Sequence, residues 1–158
     1  MISKNLYKKP KKLIKMINEK SAGAIVFLKE KEPKYLLLHY EAGHWDFPKG
    51  HVEEGEKELD TIKREVEEET GIKNIEIIAD FKEKIHYFYK VNNELMSKDV
   101  VFYLAKAKTE EVKLSFEHIG YAWLSFDKAM EKLTYRNAKD ILKKAHEFFK
   151  THKTLDDF

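Results

Sequence analysis

The feature that most constrains this chain is an acidic stretch from Gly50 to Ile72, which reads GHVEEGEKELDTIKREVEEETGI. Successive residues of an α-helix lie about 100° apart around its axis. On that geometry the apolar residues of the stretch share one face: Leu59, Ile62 and Val66. The spacing predicts a helix that packs this face on a core. Glu65, Glu68 and Glu69 form a second stripe beside the first, so these carboxylates border the core instead of facing bulk water.

Carboxylates crowded in this way need a positive partner. Like charges one helical turn apart destabilise a helix by roughly a few tenths of a kcal/mol, and their repulsion is stronger beside a low-dielectric core. Clustered oxygen ligands suit Mg²⁺ or Mn²⁺. The alternative is a solvated acidic face that pairs with Lys63, Arg64 and Lys73. The charge pattern alone favours that alternative, because most charge runs are solvated.

The spacing of the fixed residues favours a metal site. Gly50 is followed after five residues by Glu56, and after seven more by the run from Arg64 to Ile72. This spacing matches every fixed position of the signature of the Nudix hydrolases, and the chain resembles that family from Ser21 to Phe149. The resemblance implies a loop, helix, loop unit that carries Mg²⁺ and hydrolyses a diphosphate linkage in a nucleoside diphosphate joined to another group.

The same resemblance implies roles for single residues of the stretch. The metal ligands are the Gly50 carbonyl and three carboxylates: Glu65, Glu68 and Glu69. Arg64 is implied to be a buried ion-pair partner that orients these glutamates, through Glu56. Gly71 resembles a glycine that ends a helix in the left-handed conformation.

Outside the signature, the chain resembles the asymmetric diadenosine tetraphosphate hydrolases. The matching segments are His44 to Glu56, Phe81-Lys82 with Tyr87, Lys98, and Glu117-His118 with Tyr121 and Trp123. The match implies that Glu117 faces the metal and binds it or takes a proton from water. A structural pairing of Glu117 with Lys113 is the alternative.

The same match implies a substrate site. Tyr87 resembles an aromatic residue that stacks on adenine, although a tyrosine that only covers the sheet has the same pattern. The remaining predicted substrate contacts are His44, Lys49, Lys98, Tyr135 and Arg136, with the lysines and the arginine placed to meet phosphate oxygens. Trp45 is predicted to be a core anchor. His39, His86 and His118 are predicted to be structural.

Composition narrows the class of protein. With 158 residues and 42% hydrophobic content, the chain fits one globular domain. The absence of cysteine excludes disulfides, thiolate metal sites and cysteine nucleophiles. No apolar run reaches the ~20 residues needed to span a bilayer, and no signal peptide is visible, so a cytoplasmic protein without membrane partners is predicted. Abundant lysine and glutamate without glutamine suggest a thermophilic source, although an AT-rich genome also favours lysine.

The amino terminus differs in charge from the rest of the chain. Residues 1–20 are predicted to be a basic extension, and residues 21–158 a single domain. Leu13, Ile14, Met16 and Ile17 suggest a short helix. A basic arm suits contact with an RNA backbone, but a solvated extension that packs a few apolar residues on the domain is the favoured interpretation.

Hydrophobic patterning predicts the remaining elements. The predicted strands are 22–28, 35–40, 75–90 with a turn at 91–94, 98–107 and 121–124. A short helix capped by Ser125 or Asp127 ends near Leu133, and a last helix starts at Asn137. Strands with helices on both faces give an α/β fold: an α/β/α sandwich around a mixed β-sheet, which the resemblance also implies.

The predicted activity is Mg²⁺-dependent hydrolysis of nucleoside polyphosphates, with asymmetric cleavage of diadenosine tetraphosphate to ATP and AMP. Glu117 or a helix glutamate is the predicted base. The nearest alternative is an RNA 5′-pyrophosphohydrolase, and an enzyme that clears oxidised guanine nucleotides is less favoured. A nucleotide-sensing or RNA-binding module without turnover is a different class, and the complete glutamate set argues against it. The number of metal ions and the oligomeric state stay open.

Overall fold

The structure is a computed structural model that describes residues 15–152. Within this range the elements follow in the order β1 (Met16–Leu28), β2 (Lys34–Tyr40), β3 (Trp45–Asp46), β4 (Lys49–His51), α1 (Glu58–Thr70), β5 (Glu76–Val91), β6 (Glu94–Lys106), β7 (His118–Leu124), α2 (Phe126–Lys132) and α3 (Arg136–Thr151). No helix in this range is both long enough and apolar enough to cross a membrane.

All seven strands of the described range join one mixed sheet. Its main path runs β3-β2-β1-β6-β5, with β4 added to β1 and β7 added to β2. β1 is parallel to β6 along its length, from the Met16–Leu95 pair to the Phe27–Lys106 pair, and antiparallel to β2 and β4. The mixed sheet expected from the sequence is therefore confirmed.

The central strands bury side chains on both faces, because alternate residues of a strand point to opposite sides. Ile25 and Phe27 of β1 belong to a cluster that also contains Ile141 and Leu142 of α3. Ala24 and Val26 of the same strand belong to a second cluster, which also contains residues of α1: Ile62 and Val66. α1 thus covers one face while α2 and α3 cover the other, which confirms the α/β/α sandwich.

α1 ends where the sequence predicts, at Gly71. At its start, the Lys57 N–H donates to the Asp60 carboxylate at 3.2 Å. At its end, Gly71 adopts the predicted left-handed conformation with φ 74°, and its N–H donates to the Glu67 carbonyl. The predicted apolar stripe is wrong at Leu59, which is 38% exposed. Leu59 still lies on nearly the same side of the helix as Val66. We therefore attribute its exposure to its place in the first turn of α1.

The first strand begins before the predicted start of the domain. β1 begins at Met16 and pairs with β6 from its first residue. Residues 16–20, predicted to belong to the 1–20 extension, therefore lie in the sheet. The predicted short helix is wrong for Met16 and Ile17, whereas Leu13 and Ile14 lie outside the described residues. Most of the basic arm and residues 153–158 also lie outside them.

The β5–β6 hairpin places two predicted site residues side by side. Asn92 and Asn93 take positive φ values of 49° and 63°, which forms the tight turn that the sequence predicts. The register of this hairpin then sets Tyr87 directly opposite Lys98. Residues paired in this way across two strands have neighbouring side chains, so the hairpin brings an aromatic ring and a cation to one position on the sheet.

Candidate active site

The end of α1, strand β4 and the loop before β7 enclose a cavity of about 630 Å³, here called the carboxylate cavity. All the residues that were predicted to hold a metal line it: Gly50, Glu65, Glu68, Glu69 and Glu117. Glu68 is exposed, Glu65 is partly exposed, and Glu69 is buried. The three glutamates of α1 therefore differ in burial, from the exposed Glu68 to the buried Glu69.

Gly50 allows Glu65 to approach the backbone of β4. A Cβ atom at position 50 would collide with the carboxylate of Glu65. Gly50 itself is fixed by the sheet, because it pairs with Ala22 of β1. The missing side chain thus creates the space that the Glu65 carboxylate fills.

Glu69 is the buried member of the set, with 4% of its surface exposed. Among the described residues, neither its Oε2 atom nor His118 Nε2 has a hydrogen-bond partner, and the two atoms lie 4.0 Å apart. Burial, together with the charge of Glu65, raises the pKa of Glu69 to about 9. Burial also lowers the pKa of His118. Glu69 therefore lines the cavity while one of its carboxylate oxygens lies buried beside His118 without a hydrogen-bond partner.

Arg64 connects the exposed carboxylates to a supporting residue. Its guanidinium donates two hydrogen bonds to Glu56, at 2.7 and 3.0 Å, and one to Glu65 at 2.7 Å. A longer contact of 3.3 Å reaches Glu68, and the His51 carbonyl accepts at 2.9 Å. The hydrogen bonds from Arg64 lower the pKa of Glu56 to about 2. The structure thus joins Arg64 to Glu56 and to the glutamates of α1, but Arg64 is partly exposed and not buried as the resemblance implies.

Glu117 reaches the cavity from the loop before β7. Backbone hydrogen bonds tie this loop to the end of α1 and to the β2–β3 turn: Lys113 N–H to Thr70 O at 2.8 Å, Ser115 N–H to Glu69 O at 3.3 Å, and Glu41 N–H to Glu117 O at 3.0 Å. Among the described residues, no ion pair is found between Glu117 and Lys113, the alternative that the sequence left open, and the backbone of Lys113 lies against Gly71. The loop therefore presents Glu117 to the cavity.

A second cavity of about 580 Å³, here called the tyrosine cavity, adjoins the first. It is lined by all six residues that were predicted to contact substrate: His44, Lys49, Tyr87, Lys98, Tyr135 and Arg136. Lys49 and Lys98 line both cavities. The two spaces therefore meet at a pair of lysines.

The two lysines differ in their surroundings. Lys49 Nζ lies 2.8 Å from Asp46, a carboxylate that is 2% exposed and also accepts the Phe47 N–H. Burial opposes the charge on Lys49, but the pairing with Asp46 outweighs it, and the pKa of Lys49 is raised. Burial and the charge of Lys49 lower the pKa of Lys98. An anion that enters between them would relieve the repulsion felt by Lys98.

Aromatic rings line the tyrosine cavity in addition to its lysines. Tyr87 is half-buried, and Tyr135 is 51% exposed with its ring 5.5 Å from that of His44. His44 in turn stacks on Tyr40, with ring centroids 4.5 Å apart. Trp45 lies outside both cavities, stacked on His39 and packed against the core, as predicted. The cavity thus offers flat apolar surfaces next to its lysines.

This geometry agrees with the family comparison. The family model described as the NUDIX domain matches residues 17–145, which include the whole acidic stretch. The chain belongs to the Nudix family. It is a Nudix hydrolase, an enzyme that acts on phosphoanhydride bonds. The carboxylate cavity is therefore the candidate active site of this Nudix hydrolase.

This Nudix hydrolase is also similar to individual proteins over most of its length. It is 36% identical over 142 residues to the asymmetrical bis(5′-nucleosyl)-tetraphosphatase of Sus scrofa, which covers 82% of this chain and 94% of the relative. An Ap4A hydrolase binary complex from Caenorhabditis elegans superposes with a TM-score of 0.75 at 31% identity, over 84% of this chain and 98% of that one. An RNA pyrophosphohydrolase from Sulfurovum sp. is 30% identical over 121 residues, 67% of this chain and 74% of the relative.

The donor set of the carboxylate cavity fits a divalent cation. Its groups are hard oxygens, which Mg²⁺ prefers, and the buried Oε2 atom of Glu69 has no hydrogen-bond partner among the described residues. Within residues 15–152, however, no three acidic or histidine side chains already converge closely enough to hold a metal ion. Arg64 instead binds the carboxylates of Glu65 and Glu68. Arg64 is thus the positive partner of these two carboxylates in this structure.

The sequence did not assign every residue that lines the two cavities. Asp46 lies inside the segment that resembles the tetraphosphate hydrolases, yet its pairing with Lys49 depends on the fold. Phe116 stands between Ser115 and Glu117 in the loop, and no sequence signal marks its exposure. His118, predicted to be structural, lines neither cavity but lies beside Glu69. These three residues acquire their positions from contacts between distant elements.

Proposed function

We propose that this Nudix hydrolase cleaves diadenosine tetraphosphate asymmetrically to ATP and AMP in a Mg²⁺-dependent reaction. The observation that carries the proposal is the union of the two cavities through Lys49 and Lys98. A substrate that fits both needs a polyphosphate chain beside the carboxylates and a nucleobase beside the tyrosines. The similarity to asymmetrical bis(5′-nucleosyl)-tetraphosphatases supports the same substrate.

The metal is proposed to be held by Glu65, Glu68, Glu69, Glu117 and the Gly50 carbonyl. A divalent cation supplies charge that neutralises polyphosphate oxygens and makes water more acidic. Mg²⁺ is the proposed ion, and Mn²⁺ meets the same ligand preferences. Arg64, held by Glu56, limits how far the carboxylates of Glu65 and Glu68 can move.

The other residues act on the substrate directly. Lys49, Lys98 and Arg136 bind phosphate oxygens and offset the charge that develops on the departing chain. Tyr87 and Tyr135 bind an adenine by stacking, and His44 lies beside them. Glu117 is the proposed base that accepts the proton of the attacking water. Backbone hydrogen bonds between its loop and the end of α1 hold it near the glutamates of that helix.

A second candidate function is removal of diphosphate from triphosphorylated RNA ends. The observation that favours it is the 30% identity to an RNA pyrophosphohydrolase. The basic arm that would contact RNA lies mostly outside the described residues. The coverage of this relative is lower than that of the tetraphosphatases, so the nucleotide substrate is preferred.

One assay distinguishes these activities. The protein is incubated with Mg²⁺ and, in parallel, with diadenosine tetraphosphate, triphosphate-ended RNA and ADP-ribose, and the products are identified by chromatography. ATP and AMP in equal amounts support the proposal. Two molecules of ADP per substrate refute asymmetric cleavage, and turnover of RNA alone selects the second candidate. Absence of turnover on all three with either Mg²⁺ or Mn²⁺ favours a binding module.

A further inference from the structure

Phe116 is more exposed than any other large hydrophobic side chain of residues 15–152, with 90% of its surface accessible. A phenylalanine in water leaves a large apolar surface unburied. Scattered exposed apolar residues are common on proteins, but Phe116 also lines the carboxylate cavity beside Glu117. Its exposed ring therefore stands at the rim of the candidate active site.

The loop holds Phe116 in place although its ring is free. On one side, the Ser115 N–H donates to the Glu69 carbonyl of α1 at 3.3 Å. The Ser115 hydroxyl lies 3.0 Å from His118 Nδ1, and the His118 N–H donates to the Ser115 carbonyl at 3.2 Å. A tight turn closed by two hydrogen bonds therefore presents the ring. Because the turn fixes the backbone at Phe116, a ligand that binds the ring has only the side chain to order.

Phe116 lines a different cavity from the two tyrosines that were predicted to contact substrate. Tyr87 and Tyr135 line the tyrosine cavity, whereas Phe116 lines the carboxylate cavity and not the tyrosine cavity. The lysines common to both cavities lie along the connection between these aromatic groups. A ligand with a base at each end and phosphates between them matches this order of surfaces.

We propose that Phe116 stacks on the second nucleobase of a dinucleoside polyphosphate, while the tyrosine cavity holds the first. This inference rests on the proposed function and assigns a binding residue that selects two-ended substrates over substrates with one nucleoside. Stacking on an aromatic ring tolerates any base, because every base has a π-face. Phe116 thus favours a second nucleoside without specifying its base.

The test compares two substrates that differ only in the second nucleoside: diadenosine tetraphosphate and adenosine 5′-tetraphosphate. For Phe116→Ala, the ratio of kcat/KM values for the first substrate over the second falls about tenfold, the usual order for a lost base stack. The change arises in KM. Phe116→Trp restores the ratio, because indole supplies a larger stacking surface.

Ile119→Ala is the matched control. Ile119 is also exposed, at 60%, and follows Phe116 by three residues, but it lines neither cavity. Its substitution leaves the ratio unchanged. The inference is overturned if Phe116→Ala leaves the ratio unchanged, or if Ile119→Ala lowers it equally.

The outcomes separate the inference from the proposed function. If the wild-type enzyme produces ATP and AMP but the ratio does not respond to Phe116→Ala, only the role of Phe116 is wrong. If the wild-type enzyme does not cleave diadenosine tetraphosphate, or cleaves only triphosphate-ended RNA, the proposed function is wrong and the role of Phe116 is withdrawn with it.

Discussion

The carboxyl group of Glu69 is poorly stabilised as an anion by the protein alone. Burial and the neighbouring Glu65 raise its pKa from 4.5 to about 9. A group with a raised pKa in the folded state favours folding most at pH values below 4.5, and this contribution is lost as the pH rises towards 9. A bound divalent cation reverses the preference, because it stabilises the ionised form.

Glu69→Gln tests this interpretation. Without metal, the variant has a higher Tm than the wild type at pH 8, because ionisation of Glu69 at this pH favours only the unfolded state of the wild type, and the difference narrows towards pH 5. Mg²⁺ raises the Tm of the wild type at pH 8 but not that of the variant. Turnover of diadenosine tetraphosphate falls on the order of 100-fold or more.

The control for Glu69 is Glu67→Gln, an exposed glutamate of the same helix that lines neither cavity. It keeps the Mg²⁺-dependent rise in Tm and the turnover. Thermal unfolding at pH 5 and pH 8, with Mg²⁺ or with EDTA, measures both effects. An equal response to Mg²⁺ in Glu69→Gln and the wild type would remove Glu69 from the metal site.

The substitution Gly50→Ala is a second test at the scale of single residues. In Gly50→Ala the new Cβ occupies the space of the Glu65 carboxylate, which must move away. We expect kcat/KM to fall about 100-fold, the order of loss for a displaced functional group, while Tm changes little. Gly120→Ala is the control, because its Cβ would meet His39 at an ordinary 3.5 Å. Near-normal activity of Gly50→Ala would show that the position of Glu65 is not critical.

At the scale of elements, local patterns predicted what depends on neighbours in sequence. The end of α1 at Gly71 and the turn at Asn92-Asn93 both follow from spacing and residue type. β3 and β4 were missed, because two or three residues carry no periodicity. β4 exists through its pairing with β1, where Gly23 allows Lys49 to approach so closely that a Cβ would lie 2.8 Å from the Lys49 Cβ.

The ion pair between Glu56 and Arg64 links α1 to the preceding loop. Because Glu56 is an acid, the stability that this ion pair contributes is expected to fall at low pH. The pKa of Glu56 is lowered to about 2, chiefly by its hydrogen bond from Arg64. A lowered pKa contributes stability that is present above 4.5 and is lost as the pH falls towards 2. Glu56→Gln is therefore less stable than the wild type at pH 7, and the difference shrinks between pH 4.5 and pH 3.

Urea unfolding across this pH range measures the effect. Glu54→Gln serves as the control, since Glu54 is exposed and lines neither cavity. We expect its stability to follow that of the wild type at every pH. A constant difference between Glu56→Gln and the wild type from pH 7 to pH 3 would assign the role of Glu56 to something other than its charge.

At the scale of the whole molecule, the sheet brings together groups that are distant in sequence. α1 carries the carboxylates, the β5–β6 hairpin carries Tyr87 and Lys98, and the start of α3 carries Arg136. The sequence signature indicated the carboxylates, and the resemblance to the tetraphosphate hydrolases indicated the tyrosines. Neither indicated that Lys49 and Lys98 lie between two cavities. That arrangement depends on the register of β6 against both β1 and β5, which no local pattern encodes.

The last prediction tests whether the carboxylate cavity carries out the chemistry while the tyrosine cavity binds the substrate. Tyr87→Ala removes an aromatic wall of the tyrosine cavity and leaves the carboxylates in place. We expect KM for diadenosine tetraphosphate to rise about tenfold, with kcat nearly unchanged. Phe88→Ala is the control, because Phe88 is the next residue of β5, is 58% exposed, and lines neither cavity. An unchanged KM in Tyr87→Ala would mean that this tyrosine only covers the sheet, and a fall in kcat with unchanged KM would mean that the two cavities do not divide binding from chemistry.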